Sequence, residues 1–413
     1  MNIIANHAKG KALKKDALLI SAQAKEAKAK NDKVIDSTLG SFYYEDGSFS
    51  CHETVKKIMD NLNDTEKYSY SASKGTAAFE NATINWLFQN HEKTFRDSMS
   101  IKAIPTPGGT GALSNGVNNA TEYGETVLIP VPSWGPYVGI CESRGRKVEK
   151  FSLFKDAAFN FEDLKDKADN IIEKQNKLVV IINDPCNNPS GYTMSKDELN
   201  QLIDLLNSYK DVPVVLIYDC AYIDMSNDGF DGSREKLTAF LNANENVMIL
   251  VAMSYSKSFF VYGQRLGAQV IVSKNANEVM EFYNAANFFA RNTWSNCNKA
   301  GVSLVEKIGS SQENIDAVKN EINKVVNILD ERAKLFISEA KEIGLKYYPF
   351  NSGFFVTLPC NNTDLVLDKL VEEENIFLIP VQKGIRVAIC SNTMDELKGL
   401  AKRIKKVIDK YDI

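Results

Sequence analysis

Between about residues 100 and 275, short apolar runs alternate with amphipathic helical stretches, and this alternation is the strongest constraint on the fold of the 413-residue chain. The runs are residues 102–105, 126–131, 178–183, 214–218, 247–253 and 268–272. Between two of them, Ser195 and Glu198 have the spacing of a capping box, and Leu199 and Leu202 follow at helical spacing. Buried strands separated by helices are typical of a mostly parallel sheet covered by helices on both faces. The pattern therefore predicts an α/β fold that binds ligands at the carboxyl ends of its strands.

The last third of the chain has a different pattern. A long, charged, periodic helix is predicted over residues 311–344, followed by strands near 353–358 and 386–389 and by helices near 364–374 and 394–410. This order predicts a smaller α+β domain. A chain of this length favours two domains. We expect a large domain over residues 46–300 and a small one formed by residues 1–45 and 301–413.

Composition narrows the class of protein. The 49 basic and 53 acidic residues give a net charge of −4. The chain therefore lacks the surplus of positive charge that would favour binding to nucleic acid. The chain contains no run of about 18 apolar residues, so no membrane span is predicted. Residues 1–16 lack the apolar core of a signal peptide. The seven cysteines are scattered and only three histidines are present. We therefore expect neither a disulfide framework nor a bound metal, and a cytoplasmic location.

Polar side chains follow three of the predicted strands where each strand ends. Asn188 follows the run that ends at 183, Asp219 and Tyr222 follow the next run, and Lys257 follows the run that ends at 253. Each residue alone has an ordinary explanation, as a turn, a helix cap or a solvated lysine. If the strands are neighbours in one parallel sheet, however, all four side chains converge on one crevice.

That set of residues suits pyridoxal 5′-phosphate (PLP). The cofactor needs a lysine amine, an acidic partner for its pyridine nitrogen and donors to its ring oxygen. Lys257 supplies the amine, Asp219 keeps the ring nitrogen protonated, and Asn188 and Tyr222 bond the ring oxygen. The sequence therefore indicates a PLP enzyme.

A candidate phosphate site lies in the glycine-rich segment 107–112, between a short strand and a helix. Backbone N–H groups at a helix N-terminus bind anions, although a structural glycine turn would have the same pattern. Arg265 offers a cation for the phosphate, or is an ordinary surface arginine. Trp134 follows a strand and either stacks on a planar ring or packs in the core.

Six segments together resemble the fold-type I, class I and II PLP-dependent aminotransferases, and within them the aspartate and aromatic aminotransferase branch. They are residues 106–113, 132–134, 188–191, 219–222, 254–257 and 262–267. Their order and spacing match the family pattern, and the resemblance extends from about residue 39 to 389. It implies the PLP-dependent transferase fold and a transaminase that acts on an amino acid and a 2-oxo acid.

The resemblance also implies roles for individual residues. Lys257 would be the Schiff-base lysine, and it would share the catalytic work with Asp219 and Tyr222. The other cofactor contacts implied are Gly109, Thr110, Ser254 and Arg265 at the phosphate, Trp134 stacked on the ring, and Asn188 at the ring oxygen. Tyr70 would reach the phosphate in the partner subunit, so we expect a homodimer with shared active sites.

Substrate contacts are implied as well. Gly40, Trp134 and Asn188 would lie beside the substrate, and Arg386 would bind its α-carboxylate. Arg291 would cross from the partner subunit to bind the distal carboxylate of aspartate or glutamate. The expected reaction is therefore transfer of an amino group from aspartate, glutamate or an aromatic amino acid to a 2-oxo acid such as 2-oxoglutarate.

Three departures from the family pattern leave the substrate open, and one of them is the context of Arg386, which matches the branch only loosely. Cys297 and Asn298 stand where the branch has a Pro-Pro pair, and Tyr137 stands where a histidine is expected. One alternative is another PLP enzyme of the same fold, such as a C–S lyase or a β-decarboxylase, which has less need of Arg291. Another is a regulator that senses PLP, which would carry an additional DNA-binding segment.

Overall fold

The computed structural model describes residues 3–12, 16–49 and 51–412. Residues 1, 2 and 13–15 of the expected small domain, residue 50 of the expected large domain and residue 413 lie outside the described residues. The strands are β1 (Ile35–Asp36), β2 (Ser100–Thr106), β3 (Thr126–Val131), β4 (Lys147–Ser152), β5 (Phe154–Lys155), β6 (Ala158–Phe159), β7 (Leu178–Asn183), β8 (Val214–Asp219), β9 (Val247–Ser254), β10 (Gly267–Ser273), β11 (Phe355–Pro359), β12 (Ile376–Phe377), β13 (Ile379–Val381) and β14 (Gly384–Ala388).

The α-helices cover the sheets and connect the strands. They are α1 (Ala17–Lys30), α2 (Glu53–Asn61), α3 (Asp64–Tyr68), α4 (Ala77–Phe88), α5 (Glu92–Ser98), α6 (Gly108–Ala120), α7 (Pro136–Glu142), α8 (Phe161–Gln175), α9 (Lys196–Asn207), α10 (Gly229–Leu237), α11 (Tyr255–Ser258), α12 (Ala276–Thr293), α13 (Lys299–Gly309), α14 (Gln312–Glu342), α15 (Thr363–Glu374), α16 (Met394–Leu397) and α17 (Leu400–Tyr411). Within the described ranges, no helix combines the length and the apolar character needed to cross a bilayer.

A seven-stranded sheet with the order β2-β10-β9-β8-β7-β3-β4 forms the centre of the molecule. Neighbouring strands from β9 to β4 run parallel, whereas β10 is antiparallel to both β2 and β9. Every residue of β7 and β8 is buried, as expected for strands covered on both faces. All six predicted runs are strands of this sheet, and the predicted α/β fold is confirmed.

Helix α9 shows how local sequence builds the layer that covers this sheet. The Ser195 hydroxyl accepts from the Glu198 amide at 3.1 Å, and the Glu198 carboxylate accepts from the Ser195 amide at 2.8 Å. Leu199 and Leu202 are fully buried. Each such leucine contributes roughly 1.5–3 kcal/mol of burial free energy. The capping box and the apolar face predicted from sequence are both present.

A second, three-stranded antiparallel sheet with the order β11-β14-β13 lies in the C-terminal part of the chain. Strand β1 pairs with β12, which ties the N-terminal segment to this part. The prediction of one helix over 394–410 is wrong, because the segment forms two helices, α16 and α17. Gly399, the residue before α17, has a φ of +76°, which is in the left-handed region and interrupts the helix. The domain boundaries at residues 45 and 300 stay a prediction.

Helix α14 is shared by two hydrophobic cores. Val318 and Ile322, in its first half, pack in the core that also contains much of the seven-stranded sheet. Phe336 and Ala340, in its second half, pack in the core built around the three-stranded sheet. A continuous helix therefore joins the packing of the two sheets.

Candidate active site

A cavity of about 170 Å³ opens at the carboxyl ends of β7, β8 and β9. Nine of its lining residues are among the predicted site residues: Gly109, Thr110, Trp134, Asn188, Asp219, Tyr222, Ser254, Lys257 and Arg265. The others are Leu113, Asn183, Ala221, Ser256 and Tyr262. The parallel arrangement of the three strands brings their C-terminal residues to one edge, as the sequence predicted.

Lys257 lies in the short helix α11, which directly follows β9. Its Nζ donates to the carbonyl of Gly40 at 2.7 Å and lies 4.5 Å from the centre of the Tyr262 ring. Burial lowers the pKa of Lys257 to about 8; the Cys390 thiol opposes this shift, and the Arg386 and Arg265 guanidiniums add to it. A larger fraction of this amine is therefore neutral near pH 7 than in a solvated lysine, as a nucleophile or base requires.

The lowered pKa predicts when Lys257 reacts in the cofactor-free protein. Only the neutral amine is acylated, so its modification rate should rise with pH to a midpoint of about 8. Brief exposure to an acylating reagent at a series of pH values, followed by mass spectrometry, measures this midpoint. Lys165 is the internal control, because its hydrogen bond to Asp169 raises the pKa of the Lys165 amine. A midpoint for Lys257 at or above that of Lys165 would contradict the burial argument.

Asp219 is the last residue of β8 and is 5% exposed. Its Oδ2 accepts from the Tyr137 hydroxyl at 2.6 Å, and its Oδ1 accepts from the Ala221 amide at 3.1 Å. Burial raises the pKa of Asp219 to about 6, and these two hydrogen bonds act in the opposite direction. A carboxylate with these donors is ionised near neutral pH and can hold a cationic N–H group.

Tyr137 supplies the partner of Asp219 from α7. The tyrosine is completely buried, and its ring meets that of Trp134 edge-on at 5.5 Å. Trp134 itself is partly buried and lines the cavity. Tyr137 thus places a hydrogen-bond donor on the carboxylate of Asp219 at the position where the family pattern has a histidine.

Arg386, in β14, crosses from the three-stranded sheet to the cavity region. Its Nη1 donates to Oδ1 of Asn188 at 3.0 Å, and its Nη2 donates to the Thr38 carbonyl at 2.6 Å. Its Nε is buried and has no hydrogen-bond partner within the described part of the chain. Both of these bonds go to neutral oxygens, so the guanidinium can still bind an anion such as a carboxylate.

Backbone atoms approach one another closely where α6 begins. Gly108 has a φ of +69°, and a Cβ there would lie 2.8 Å from Nη2 of Arg265. A Cβ on Gly267 would lie 2.4 Å from the carbonyl carbon of Gly108. Gly109 faces Ser254, whose Cβ is 3.4 Å from the position of a Cβ on Gly109. The start of α6, the exposed guanidinium of Arg265 and the Ser254 side chain together form an arrangement suited to a phosphate.

Gly40 lies beside the amine of Lys257. A Cβ on Gly40 would lie 2.6 Å from Cζ of Phe355, so no larger residue fits without a shift of that ring. Its carbonyl accepts from Lys257, although the two residues are 217 positions apart. The segment around Gly40 therefore forms one wall beside the amine.

Four predicted site residues are not among those that line the cavity: Gly40, Arg386, Tyr70 and Arg291. Gly40 and Arg386 are hydrogen-bonded to the cavity residues Lys257 and Asn188. Tyr70 is 91% exposed. Arg291 is exposed at the end of α12 and donates to the Ser295 hydroxyl. Their predicted roles in the site of a partner subunit stay predictions.

Two cavity residues were missed although the sequence carried a signal for them. Asn183 is the polar last residue of a wholly buried strand, the same signal that indicated Asp219, and its Oδ1 accepts from the Asn188 amide at 2.6 Å. Tyr262 lies between Lys257 and Arg265 in the 262–267 segment, and its hydroxyl accepts from the Phe42 amide at 3.2 Å. Leu113, Ala221 and Ser256 also line the cavity, but neither their residue type nor their position in the sequence indicated this.

Comparisons with known proteins give a family match over most of the chain. The model of the family "Aminotransferase class I and II" matches residues 32–404. An aspartate aminotransferase of Haemophilus influenzae is 24% identical over 408 residues, covering 96% of this chain and 99% of the relative. An aminotransferase structure from Anaerococcus prevotii has 31% identity and a TM-score of 0.93, covering 99% of this chain and all of the other. An aromatic-amino-acid aminotransferase from Burkholderia pseudomallei, covalently bound to pyridoxal phosphate, has a TM-score of 0.78 at 19% identity and covers 98% of this chain and all of the other.

Proposed function

Because the chain belongs to the class I and II aminotransferases, we propose that it transfers an amino group from aspartate, glutamate or an aromatic amino acid to a 2-oxo acid such as 2-oxoglutarate. The enzyme is a PLP-dependent transaminase. One observation carries the proposal: the amine of Lys257 and the carboxylate of Asp219 line a single cavity at the ends of adjacent parallel strands. The names of the relatives support aspartate and aromatic amino acids as donors.

The residues around the cavity suit PLP. Asp219 offers an ionised partner for the pyridinium nitrogen, and the start of α6 with Ser254 and Arg265 suits the phosphate. Tyr222 and Asn188 offer groups to the ring oxygen, and Trp134 offers a ring to stack on. When bound there, the cofactor supplies an electron sink for the bonds at the substrate Cα.

The side chains then divide the remaining work. Arg386 binds the α-carboxylate of the substrate, and its bond to Asn188 sets the direction of the guanidinium. The Nζ of Lys257 removes the proton from the substrate Cα, a role that needs a neutral amine. The ammonium so formed holds that proton, which would then pass to the carbon of the bound cofactor next to the transferred nitrogen. The hydroxyl of Tyr137 holds Asp219 in its ionised form. Burial of these groups excludes water from the moving proton.

Product analysis tests the reaction directly. The purified protein is incubated with PLP, aspartate and 2-oxoglutarate, and the products are identified by mass spectrometry. We expect glutamate and oxaloacetate in equal amounts, because the amino group leaves one molecule and enters the other. Alanine and carbon dioxide would instead indicate a β-decarboxylase. In a parallel incubation with a sulfur-containing amino acid in place of aspartate, release of ammonia would indicate a C–S lyase.

Arg291→Ala should lower kcat/KM for aspartate and glutamate by about 10²–10³-fold. A closed site buries both carboxylates of such a substrate, and loss of one partner of a buried ion pair costs roughly 3–5 kcal/mol. Phenylalanine has no distal carboxylate and should be much less affected. Single-turnover kinetics with both donors measure the difference. Arg96→Ala, which removes an arginine paired with Glu92 on α5, is the matched control.

Mixing experiments test whether Arg291 acts across subunits. The expected homodimer, like the expected cytoplasmic location, is a prediction from the sequence. If the site is shared, co-expressed Lys257→Ala and Arg291→Ala chains form mixed dimers with one intact site each. Random pairing should then restore about a quarter of the wild-type activity towards aspartate. Mixtures as inactive as their components, or equal losses for aspartate and phenylalanine, would contradict the role.

A further inference from the structure

A buried histidine lies beneath the turn that carries Lys257, and the catalytic roles assigned above do not use it. His52 is 1% exposed, and its Nε2 lies 3.2 Å from the carbonyl oxygen of Ser258, the residue after Lys257. A carbonyl can only accept, so Nε2 carries a proton. The imidazole therefore donates directly to the backbone of the turn that holds the amine.

The other nitrogen of His52 faces Glu321 of α14. Nδ1 lies 3.5 Å from Oε2 of Glu321, and neither atom has a hydrogen-bond partner within the described residues. The second carboxylate oxygen, Oε1, accepts from the amide and the hydroxyl of Thr54 at 3.1 and 2.6 Å, which fixes the carboxylate. Two buried acceptors facing each other are unfavourable, and a single proton between them removes the conflict.

The charges around the imidazole are few. Burial lowers the pKa of His52, whereas Glu321 and, more weakly, Asp224 act in the opposite direction. Asp224, in the turn at residues 223–225, is already paired with Arg234 and bonded by Trp86. Glu53 and Cys51 lie next to His52 in sequence. Among these charged groups, Glu321 therefore acts most strongly on the imidazole, and its Oε2 is the atom that faces Nδ1.

The ring of His52 also begins a stack that ends at the amine. It packs on Phe260 at 4.6 Å and 13°, and Phe260 packs on Tyr262 at 5.8 Å and 16°. The Tyr262 ring lies 4.5 Å from Nζ of Lys257. Phe260 has a φ of +54°, a strained conformation for a residue with a side chain, and such strain persists only where packing enforces it.

We propose that His52, held by Glu321, is a positioning residue for the amine of Lys257. Its Nε2 fixes the carbonyl of Ser258, and its ring supports Phe260 and Tyr262 beneath Nζ. The inference rests on the proposed role of Lys257. Loss of the pair should let the Tyr262 ring move and change the surroundings of the amine, without removing a group that touches substrate or cofactor.

Four variants test this in the PLP-loaded enzyme. His52→Leu removes the imidazole and Glu321→Leu removes its partner. Glu321→Gln keeps a partner, because its amide can accept from Thr54 and donate to Nδ1. Glu339→Leu is the matched control, since this residue of α14 also accepts from a backbone amide, that of Gly399, at 2.9 Å. The readouts are the pH midpoint of the cofactor absorbance, kcat and KM for aspartate, and the thermal unfolding midpoint.

We expect His52→Leu and Glu321→Leu to move the spectral midpoint by about 0.5 pH unit or more. They should also lower kcat about tenfold while KM stays within about twofold. Glu321→Gln should keep the wild-type spectrum, and Glu339→Leu should change only the unfolding temperature. If His52→Leu fails to fold, the comparison of Glu321→Leu with Glu321→Gln decides. Unmoved midpoints, or an equal shift in Glu339→Leu, would overturn the inference.

Peptide mapping of the borohydride-reduced cofactor in the same samples separates two kinds of failure. A lysine other than Lys257 would overturn the proposed role of that residue, and this inference with it. Labelling of Lys257 with unmoved midpoints would overturn the inference alone.

Discussion

Lys257→Ala protein is expected to fold and to bind PLP without a covalent link, and to lose transaminase activity by about 10⁴-fold or more. The variant loses both the amine that bonds the cofactor and the base that moves the substrate proton, and general acid–base catalysis alone contributes about 10²–10⁴-fold. Alanine should be tolerated because the lysine side chain lines a cavity, so its removal enlarges a space that already exists. The variant also loses the hydrogen bond to the Gly40 carbonyl, which contributes about 1 kcal/mol to the free energy of unfolding.

Borohydride reduction followed by peptide mapping checks the assignment. In the wild-type protein, the label should appear on the peptide that contains Lys257 and on no other. In the Lys257→Ala protein, no lysine should be labelled, and circular dichroism should match the wild type. A label on any other lysine would show that a different amine holds the cofactor.

Asp219→Asn should bind PLP yet lose at least about 10³-fold in kcat, roughly 4 kcal/mol of barrier. A carboxylate stabilises the positive charge on the ring nitrogen, and a neutral amide does not. The surroundings make the loss more severe, because Asp219 is 5% exposed and water cannot replace its charge. Near-normal turnover by this variant would exclude the role.

Tyr137→Phe provides a graded comparison with Asp219→Asn. The phenyl ring keeps the packing against Trp134 but removes the bond to Asp219. Burial raises the pKa of Asp219 to about 6 although this bond acts in the opposite direction, so loss of the bond should raise the pKa further. The carboxylate then becomes protonated at higher pH, and the acidic limb of the kcat profile should move towards neutral pH. Hydrogen bonds to charged groups contribute about 1.5–3 kcal/mol, so kcat near pH 6 should fall roughly ten- to a hundredfold.

The strands of the central sheet were predictable because parallel strands covered on both faces are continuous apolar runs. Strand β4 was not, since it lies at the sheet edge and only Val148 and Phe151 of its six residues are apolar. Strand β13 has three residues and is too short for any periodicity. The split between α16 and α17 at Gly399 was missed because the apolar spacing continues through it.

The site was predictable to the extent that its residues follow strands in the chain. Asp219 ends one buried strand and Lys257 follows the end of the adjacent one, and adjacent parallel strands bring their ends together. The contacts that tune them were not predictable. The bond between Lys257 and Gly40 spans 217 positions, and that between Arg386 and Asn188 spans 198. Neither periodicity nor a local motif reports which distant segments meet, because that depends on how the layers pack.

The two halves of helix α14 lie in different hydrophobic cores, so the unfolding of one core should affect the other. Its 31 residues span about 46 Å, and a helix of this length is stable mainly through the faces it buries. If the core around the three-stranded sheet melted alone, the second half of α14 would lose its support and fray towards Val318 and Ile322 in the other core. We therefore expect one cooperative unfolding transition for both cores, with the calorimetric and van't Hoff enthalpies equal. Replacement of Phe336 by alanine should lower the free energy of unfolding by about 3–5 kcal/mol. It should lower the melting temperature of the whole chain and should not produce a second, separate transition.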